Sequence, residues 1–456
     1  MSTDMTGIYQ QSLFSKSIAI SVAVPESNKH RVLASVLPWE LMANTANRFR
    51  SETINITNGR PLDLRMHLGA FVAQSMNNWT DRETEEMLRY HAGVRILCGL
   101  EESTNSLDRT SIEKFRNSVG KKGTEELNYI IVQHAIGAGF TGSEICSSDT
   151  TVQEAPIQHP TEVGHMKKIS EKLVGIGKKI GGKISQAMAT LGNAVQAAFT
   201  ESRLFTRGKK EKAIKRKKEL SRQMHAAIEK MLDLAAKNLP KLSKKPREKS
   251  LEQVALYKRM QKQIIQWLKS GKHPANKIIS LWDLEARAIT RNKAAKIVEF
   301  GRRWIVTRLM RGYIIGDACQ KLGGDSDVKI LDEVLINFLN ATGEVPENII
   351  YDRGGDGEKN HKILSDIGVS NNCIFLKGKN TKMDIRPEVF EMARTERALS
   401  EASIATVKHN KYGFNKPRAR SADSCALKAQ AAFLGFNINH LVMDVQSTWN
   451  MALEIT

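Results

Sequence analysis

Nearly all of the excess positive charge in this 456-residue chain lies in one segment. Residues 167–277 contain 29 Lys and Arg against 8 Asp and Glu, a net charge of +21, whereas residues 1–166 and 278–456 carry net charges of −4 and +3. The outer segments therefore have the charge balance of ordinary globular domains, and the middle segment must keep its cations in water or against a counter-charge. An imbalance this large favours a polyanion as partner, either nucleic acid or an anionic membrane.

The periodicity of the basic segment is helical. Apolar residues recur at spacings of three and four over 220–235 and again over 251–268, and Pro240 and Pro246 interrupt the pattern between the two stretches. We therefore predict a basic helical hairpin inside an insertion that spans 167–280. The cations of the insertion expected to contact DNA are Lys209, Lys210, Lys215, Arg216, Lys217 and Lys218. A solvated helical face without a ligand is the alternative.

One stretch of the basic segment imitates a nucleotide-binding loop. Residues 177–184 nearly match the pattern G-x-x-x-x-G-K-[ST], in which the final hydroxyl group holds magnesium. Ile184 occupies the hydroxyl position, and no strand pattern precedes the stretch. A basic turn is therefore the favoured interpretation.

Several classes of protein are excluded by the composition. No run approaches the roughly 18 apolar residues of a membrane span, and the apolar stretch 18–24 is too short for a signal peptide. The five cysteines are scattered and never form a C-x-x-C pair, which argues against a disulfide scaffold and a structural zinc site. We expect a cytoplasmic protein without a membrane partner, associated with the bacterial nucleoid if its ligand is DNA.

The first 140 residues predict a helical domain. Residues 1–30 have no clear period and are expected to form a loosely ordered lead, whereas 62–140 show helical periodicity. The sequences Thr80–Glu83 and Thr110–Glu113 match the capping box, in which a Thr or Ser and a Glu three residues later bond to each other's backbone N–H groups. Residues 1–140 suit DNA binding or dimerisation, and a structural cap on the next domain is the alternative.

Strand and helix patterns alternate through the rest of the chain. Residues 144–155 have the β-branched composition of a strand, with Asp149 in its middle, where aspartate is disfavoured. The later pattern predicts two strands within 297–319, further strands over 346–352 and 374–376, and helices over 331–339, 360–367 and 394–409. We therefore predict an α/β domain formed from 141–166 and 281–456. Asp352 ends one strand, at the carboxyl edge where open α/β sheets place their sites.

The last predicted helix carries an acid between two cations. Arg397 and Glu401 are one helical turn apart, and Glu401 and Lys408 are two turns apart, so the three side chains project from one face. A carboxylate beside two cations suits the simultaneous binding of a metal ion and a phosphate backbone.

These segments together resemble insertion-sequence transposases of the DDE type, whose catalytic domain has an RNase H-like fold. The matching motifs are 148–161 around Asp149, 350–357 around Asp352, and Glu401–Lys408 within the family signature of Arg, three residues, Glu, six residues and Lys. The signature normally opens with Tyr three positions before its Arg, and Arg394 stands there in this chain. Residues 288–301 are similar to the family's second-strand region, and 37–40 with the following helices are similar to its amino-terminal domain. The resemblance covers most of the chain except about 167–280.

The resemblance implies a catalytic site built from three acids. In the family the first Asp lies on the first strand, the second Asp follows the fourth strand, and the Glu lies on a late helix, which correspond to Asp149, Asp352 and Glu401 in this chain. These acids would hold two Mg²⁺ ions, for which Mn²⁺ could substitute, with Asp149 as the bridge. The cations expected to contact DNA beside them are Arg394, Arg397 and Lys408.

The implied function is that of a DNA transposase. It would bind the terminal inverted repeats of its element, cut beside them and join the 3′ ends to target DNA. Synapsis of two ends implies a homodimer or a higher oligomer, and the basic insertion would clamp end or target DNA. Two rival functions stay open: a structure-selective nuclease of the same fold, and a non-enzymatic DNA-binding protein derived from a transposase.

Each acid also has a structural interpretation. Asp149 can pair with an arginine, and Glu401 can form a salt bridge with the arginine one turn before it. Asp352 can be a turn residue, in which case Asp356 or Asp317 would take its place in the triad.

Overall fold

The chain divides into two compact units. The sheet unit comprises Met1–Pro156 and Gly301–Thr456, and the basic unit comprises Ile157–Phe300. The computed structural model describes residues 24–53, 62–101, 105–204, 211–274, 276–293, 296–319, 327–376, 385–419 and 421–455. Lys209, Lys210 and most of the predicted amino-terminal lead lie outside these described residues.

The amino-terminal part of the sheet unit is helical, as predicted. Its helices are α1 (Lys29–Val36), α2 (Trp39–Thr53), α3 (Leu64–Asn77), α4 (Asp81–Tyr90), α5 (Ala92–Leu97) and α6 (Arg109–Gly137). The capping box between Thr80 and Glu83 is confirmed at the start of α4. The second predicted box is wrong, because Asp108 caps α6 and accepts hydrogen bonds from the N–H groups of Thr110 and Ser111 at 2.7 and 3.1 Å. One carboxylate oxygen thus satisfies two backbone donors of the first turn.

The predicted helical hairpin is confirmed, and its two helices are the last of four α-helices among the described residues of the basic unit. The four helices are α7 (Glu162–Ile180), α8 (Gly182–Leu204), α9 (Glu211–Asn238) and α10 (Lys244–Ser270). Helix α9 packs against the three others, and α8 also packs against α7. The apolar stripe predicted over 220–235 is buried, whereas Leu251 of the second stripe is 51% exposed.

Two glycines permit the close approach of α7 and α8. A Cβ atom at Gly177 would lie 2.7 Å from Cγ of Met188, and a Cβ at Gly192 would lie 2.6 Å from Cγ2 of Val174. Glycine, which has no Cβ atom, therefore permits a close approach of the two helices at both positions.

The turn between α7 and α8 is the stretch that imitates a nucleotide-binding loop. Gly181 and Gly182 have φ angles of +82° and +54°, a left-handed conformation that glycine adopts without strain. The element directly before this turn is a helix, whereas the phosphate-binding loop follows a strand. The structure therefore supports the basic turn.

The sheet combines antiparallel and parallel strands, which confirms a mixed α/β architecture. The strands are β1 (Ile145–Glu154), β2 (Arg287–Lys293), β3 (Lys296–Arg308), β4 (Ile314–Ala318), β5 (Asn348–Tyr351) and β6 (Asn371–Ile374). Strand β1 pairs with β3 antiparallel and with β5 parallel, while β4 pairs with β3 antiparallel and β6 pairs with β5 parallel. Strand β2 also pairs with β3. The strand predicted over 374–376 lies earlier in the chain, because β6 ends at Ile374.

Helices of the carboxyl-terminal part cover the sheet. They are α11 (Leu331–Thr342), α12 (Glu358–Asp366), α13 (Pro387–Val407) and α14 (Ala422–Ile455). Helix α13 packs against β1, β5 and β6, whereas α14 packs against β4 and α6. The predicted start of α13 at Arg394 is wrong, because proline is tolerated in the first helical turn and the helix begins at Pro387. None of the helices described, α14 included, is both long and apolar enough to cross a membrane.

Alternating side chains distinguish the two faces of the sheet. Trp304 and Val306 of β3 belong to an apolar cluster that includes residues of α13. Ile305 and Ile349 belong instead to the large core shared with the amino-terminal helices. Because residues opposite each other on neighbouring strands share a face, the pairing of Asp149 with Val306 places Asp149 on the face that α13 covers.

A half-buried carboxyl group on α6 makes the stability of the sheet unit depend on pH. Glu125 accepts hydrogen bonds from Nε2 of Gln430 at 3.1 Å and from the hydroxyl of Tyr129 at 3.3 Å. Burial, with a smaller contribution from Asp317, raises the pKa of Glu125 from 4.5 to about 7. The folded protein therefore binds more protons than the unfolded chain between these values, and stability from this group is lost as the pH rises towards 7.

We expect Glu125→Gln to raise the melting temperature at about pH 8, by an amount equivalent to roughly 2 kcal/mol, and to change it little at about pH 5. Glutamine keeps an oxygen that accepts both hydrogen bonds but carries no charge to bury. Thermal unfolding at the two pH values measures the difference, with Glu126→Gln at the exposed neighbouring position as the control. An equal gain at both pH values would contradict the raised pKa.

Candidate active site

Two of the three predicted acids lie at neighbouring positions on parallel strands. Strands β1 and β5 are in register through Ser148 and Tyr351, the last pair of the ladder. One further residue along both strands places Asp149 beside Asp352, whose backbone is still extended, with φ −67° and ψ 157°. Adjacent strands are about 4.8 Å apart, so carboxylates at these two positions can reach a common ligand.

Side-chain alternation directs both acids towards α13. Ile350 packs in a cluster with Val389 of α13, and Tyr351 packs in the core on the opposite face. Asp352 therefore returns to the face of Ile350, which is also the face of Asp149. The Oδ1 atom of Asp149 accepts a hydrogen bond of 2.6 Å from the N–H of Thr150.

The carboxyl-terminal part of α13 lies along β1, with contacts on both sides of Asp149. Ser400 Oγ donates to the carbonyl oxygen of Ser147 at 3.3 Å, and Lys408 Nζ donates to Thr151 Oγ1 at 3.1 Å. Ser147 and Thr151 are two residues before and after Asp149, so they share its face of the strand. These two contacts therefore place the predicted helix signature beside Asp149.

Arg397 connects the other two acids. Its Nη2 donates to Oδ1 of Asp352 at 2.7 Å, and its Nε lies 3.7 Å from Oε1 of Glu401. The guanidinium also lies over the ring of Phe375, 5.1 Å from the ring centroid. The side chain of Glu401 is 61% exposed, so the third acid lies at the solvent-facing side of this group.

The side chains as they stand do not form a preformed metal site. Within the described part of the chain, no three His, Cys, Asp or Glu side chains are close enough to hold a metal ion. The guanidinium of Arg397 lies between the carboxylates of Asp352 and Glu401 and offsets their repulsion. A cation can use these two carboxylates together only when Arg397 has moved away.

The two flanking cations of the predicted site have different surroundings. Lys408 lies at the carboxyl end of α13 and contacts β1 through its ammonium group. Arg394 is 73% exposed and pairs with Glu391 on its own helix at 3.7 Å, and among the described residues it contacts none of the three acids. The structure therefore brings Lys408 and Arg397 to the group of acids, but not Arg394.

The alternatives to Asp352 have other contacts. Asp317 of β4 is paired with Ile305, so it lies on the opposite face of the sheet from Asp149, and it binds Nζ of Lys121 at 2.6 Å. Asp356 follows the short helical turn after β5, and its Oδ1 lies 2.9 Å from Nε2 of His361. The geometry thus favours Asp352 as the partner of Asp149.

Sequence reasoning missed a buried ion pair under α13. Arg308 of β3 donates to the carboxylate of Glu396, and their side chains are only 8% and 14% exposed. Glu396 falls three residues after Ala393 and four before Ser400, both of which are buried. An acid on the buried stripe of a helix needs a partner, and this signal could have pointed to Glu396 from the sequence.

The described part of the predicted DNA-binding run lies on α9. Its lysines are Lys215, Lys217 and Lys218, of which the first and last are exposed and the second is partly buried. Arg216 is already engaged, because it bonds to Glu201 at 2.8 Å and to Glu219 at 3.0 Å. The lysines are therefore better placed than Arg216 to meet phosphate groups.

Comparison with known proteins supports a transposase. Residues 19–118 match the family described as Transposase domain (DUF772). A protein of Rhizobium meliloti, described as uncharacterized protein ORF8 in nfe locus, is 27% identical over 165 residues, which cover 35% of this chain and 77% of the relative. No solved structure matches the chain. The segment similar to a transposase domain ends before the strand that bears Asp149.

Proposed function

We propose that this protein is a DNA transposase of the DDE type, with an RNase H-like catalytic domain formed from 141–166 and 281–456. The register that sets Asp149 beside Asp352, under a helix that carries Glu401, is the observation that carries the proposal. Asp149 lies on the first strand, and Asp352 directly follows β5, the strand that pairs with β1 in parallel. The match to a transposase domain supports the broader class.

The three carboxylates suit Mg²⁺ in their chemistry and in their positions along the backbone. Mg²⁺ prefers hard oxygen ligands, and three carboxylates meet that preference on one face of the sheet. Asp149, Asp352 and Glu401 would hold the ions, and Mn²⁺ could replace them. When bound, the metal ions would activate the nucleophile and stabilise the leaving 3′ oxygen.

Arg397 would change partners when DNA binds. In the described conformation its guanidinium is held by Asp352 at 2.7 Å. A phosphate group offers a guanidinium two oxygens at once, which makes it a strong competitor for this contact. Transfer of Arg397 to a phosphate would leave the carboxylate of Asp352 accessible, and Lys408 would hold a second phosphate near β1.

The basic unit would hold the DNA while the acids act on it. Lys215, Lys217 and Lys218 would contact the backbone without regard to sequence, because phosphate groups are the same at every base pair. The amino-terminal helices remain candidates for end recognition or dimerisation. Joining two ends at one target requires at least two copies of the active site, so we propose a homodimer or larger synaptic complex acting in the nucleoid.

An assay with precut ends tests the proposed function. The full chain is incubated with Mg²⁺, a supercoiled target plasmid and a duplex that carries the element's terminal repeat with an exposed 3′-hydroxyl. We expect plasmid products joined to the repeat, and a scrambled repeat should give few of them. A structure-selective nuclease would cut branched DNA without joining, and a binding protein would only retard the repeat in a gel. Either result would contradict the proposed function and support the corresponding alternative.

A further inference from the structure

The pair of Arg308 and Glu396 lies where α13 meets β1. Arg308 is opposite Ser147 in the ladder between β3 and β1. Ser147 itself contacts α13 twice, because its Oγ donates to the carbonyl oxygen of Glu396 at 3.4 Å and its own carbonyl accepts from Ser400 at 3.3 Å. These four residues join two strands to one helix, and Ser400 directly precedes Glu401.

Apolar packing restrains α13 less at this point than towards its ends, where Val389, Ile404 and Val407 are buried against the sheet. Ala393 and Ser400 are 0% and 2% exposed, and both side chains are among the smallest. Small side chains have few atoms to interlock with the sheet, so they oppose rotation and sliding of a helix less than large ones do. A charged hydrogen bond such as that between Arg308 and Glu396 is directional, and it opposes both motions.

Stability alone gives no reason for an ion pair in this place. Burial lowers the pKa of Arg308 by disfavouring its charge, and Glu396 opposes that shift. The attraction therefore offsets a desolvation penalty, and well-packed apolar residues of similar volume often give equal or greater stability. An apolar pair, however, would lack the directional hydrogen bond that opposes rotation and sliding of α13.

We propose that Arg308 and Glu396 are positioning residues that hold α13 in the register that presents Glu401 to Asp149. This inference rests on the proposed function. A helix turns by about 100° and rises about 1.5 Å per residue, so a slip of one residue would carry Glu401 away from the strand acid. Misplacement of a catalytic group by about 1 Å costs about a hundredfold in rate.

The test separates the position of α13 from the stability of the fold. Arg308→Met leaves Glu396 buried without its partner, and we expect both the melting temperature and the cleavage rate to fall. The double variant Arg308→Met/Glu396→Leu should recover the melting temperature, because both charges are gone. Its single-turnover cleavage of end DNA should remain about a hundredfold below wild type, with a DNA affinity within about threefold.

Hydrogen exchange gives a second measurement that does not depend on activity. In the double variant, amides over 387–408 should exchange about tenfold faster than in wild type, while the rest of the sheet unit is unchanged. The control is Arg116→Met/Asp81→Leu, which removes an ion pair with side chains 11% and 25% exposed in the amino-terminal helices. This control should leave exchange over 387–408 unchanged.

The outcomes distinguish a positioning role of the pair from a role in stability alone. Recovery of both melting temperature and cleavage in the double variant would show that the pair only stabilises the fold and would overturn the proposal. If the wild-type chain cuts no DNA, the proposed function fails, and the exchange data still decide the inference. Faster exchange over 387–408 would then support the positioning role, and unchanged exchange would exclude it.

Discussion

Asp149→Asn should reduce the rate of end cleavage by at least about a thousandfold and leave DNA affinity within about threefold of wild type. Asparagine has nearly the same shape as aspartate, and its oxygen can still accept the 2.6 Å hydrogen bond from Thr150 N–H, so the strand is retained. The charge is lost, and with it a strong ligand for a hard cation. Single-turnover cleavage and titration of labelled end DNA measure the two quantities.

Asp317→Asn is the matched control for this substitution. Asp317 is also a strand aspartate of the same sheet, but its pairing with Ile305 places it on the opposite face. We expect cleavage within about threefold of wild type for this control, because no charge near the acids changes. Wild-type cleavage by Asp149→Asn, or an equal loss in both variants, would exclude Asp149 from the catalytic site.

The position of Asp149 could be predicted from the sequence because it depends on a local pattern. The β-branched run around it forms β1, Ile145–Glu154, and the aspartate lies within that strand as predicted. The register between β1 and β5 could not be predicted in this way, since it joins segments on either side of the basic unit. Composition and periodicity report which residues form a strand and say little about which residue lies opposite which.

In the helix signature, the contacts within the helix could be predicted, but the contacts with the sheet could not. The spacing of Arg397 and Glu401 predicts neighbours on one face, and the structure confirms this with a separation of 3.7 Å. The contact of Arg397 with Asp352 arises only when α13 packs on the sheet. The partner of Glu396 is likewise supplied by β3, a strand far away in the chain.

The helices of the basic unit were predicted only in part. Helix α9 has large apolar residues at regular spacing and was predicted from them. Helix α7 has a comparable apolar stripe from Met166 to Ile176, which was not used for prediction. Its close approach to α8 at Gly177 and Gly192 depends on tertiary packing. A run of positive charge gave the location of the insertion, whereas its number of helices depends on tertiary packing.

Removing three lysines from α9 should weaken DNA binding and also flatten its dependence on salt. The triple variant is Lys215→Gln, Lys217→Gln and Lys218→Gln. Each lysine that neutralises one phosphate releases about 0.9 counterion, so the slope of log affinity against log salt should fall by about 2 to 3. The expected loss of affinity is at least about tenfold at roughly 0.1 M salt and smaller at higher salt.

A second triple variant separates the effect of where the lysines lie from the effect of the total net charge. Lys114, Lys359 and Lys362 are exposed lysines of the sheet unit, and their replacement by glutamine removes the same three charges. We expect this control to retain most of the wild-type slope, since general attraction to DNA depends on net charge but counterion release requires contact with phosphate. Equal slopes for the two triple variants would show that the basic unit is not the DNA clamp. A lower slope confined to the α9 variant would place the phosphate contacts on the unit that contains the chain's excess charge.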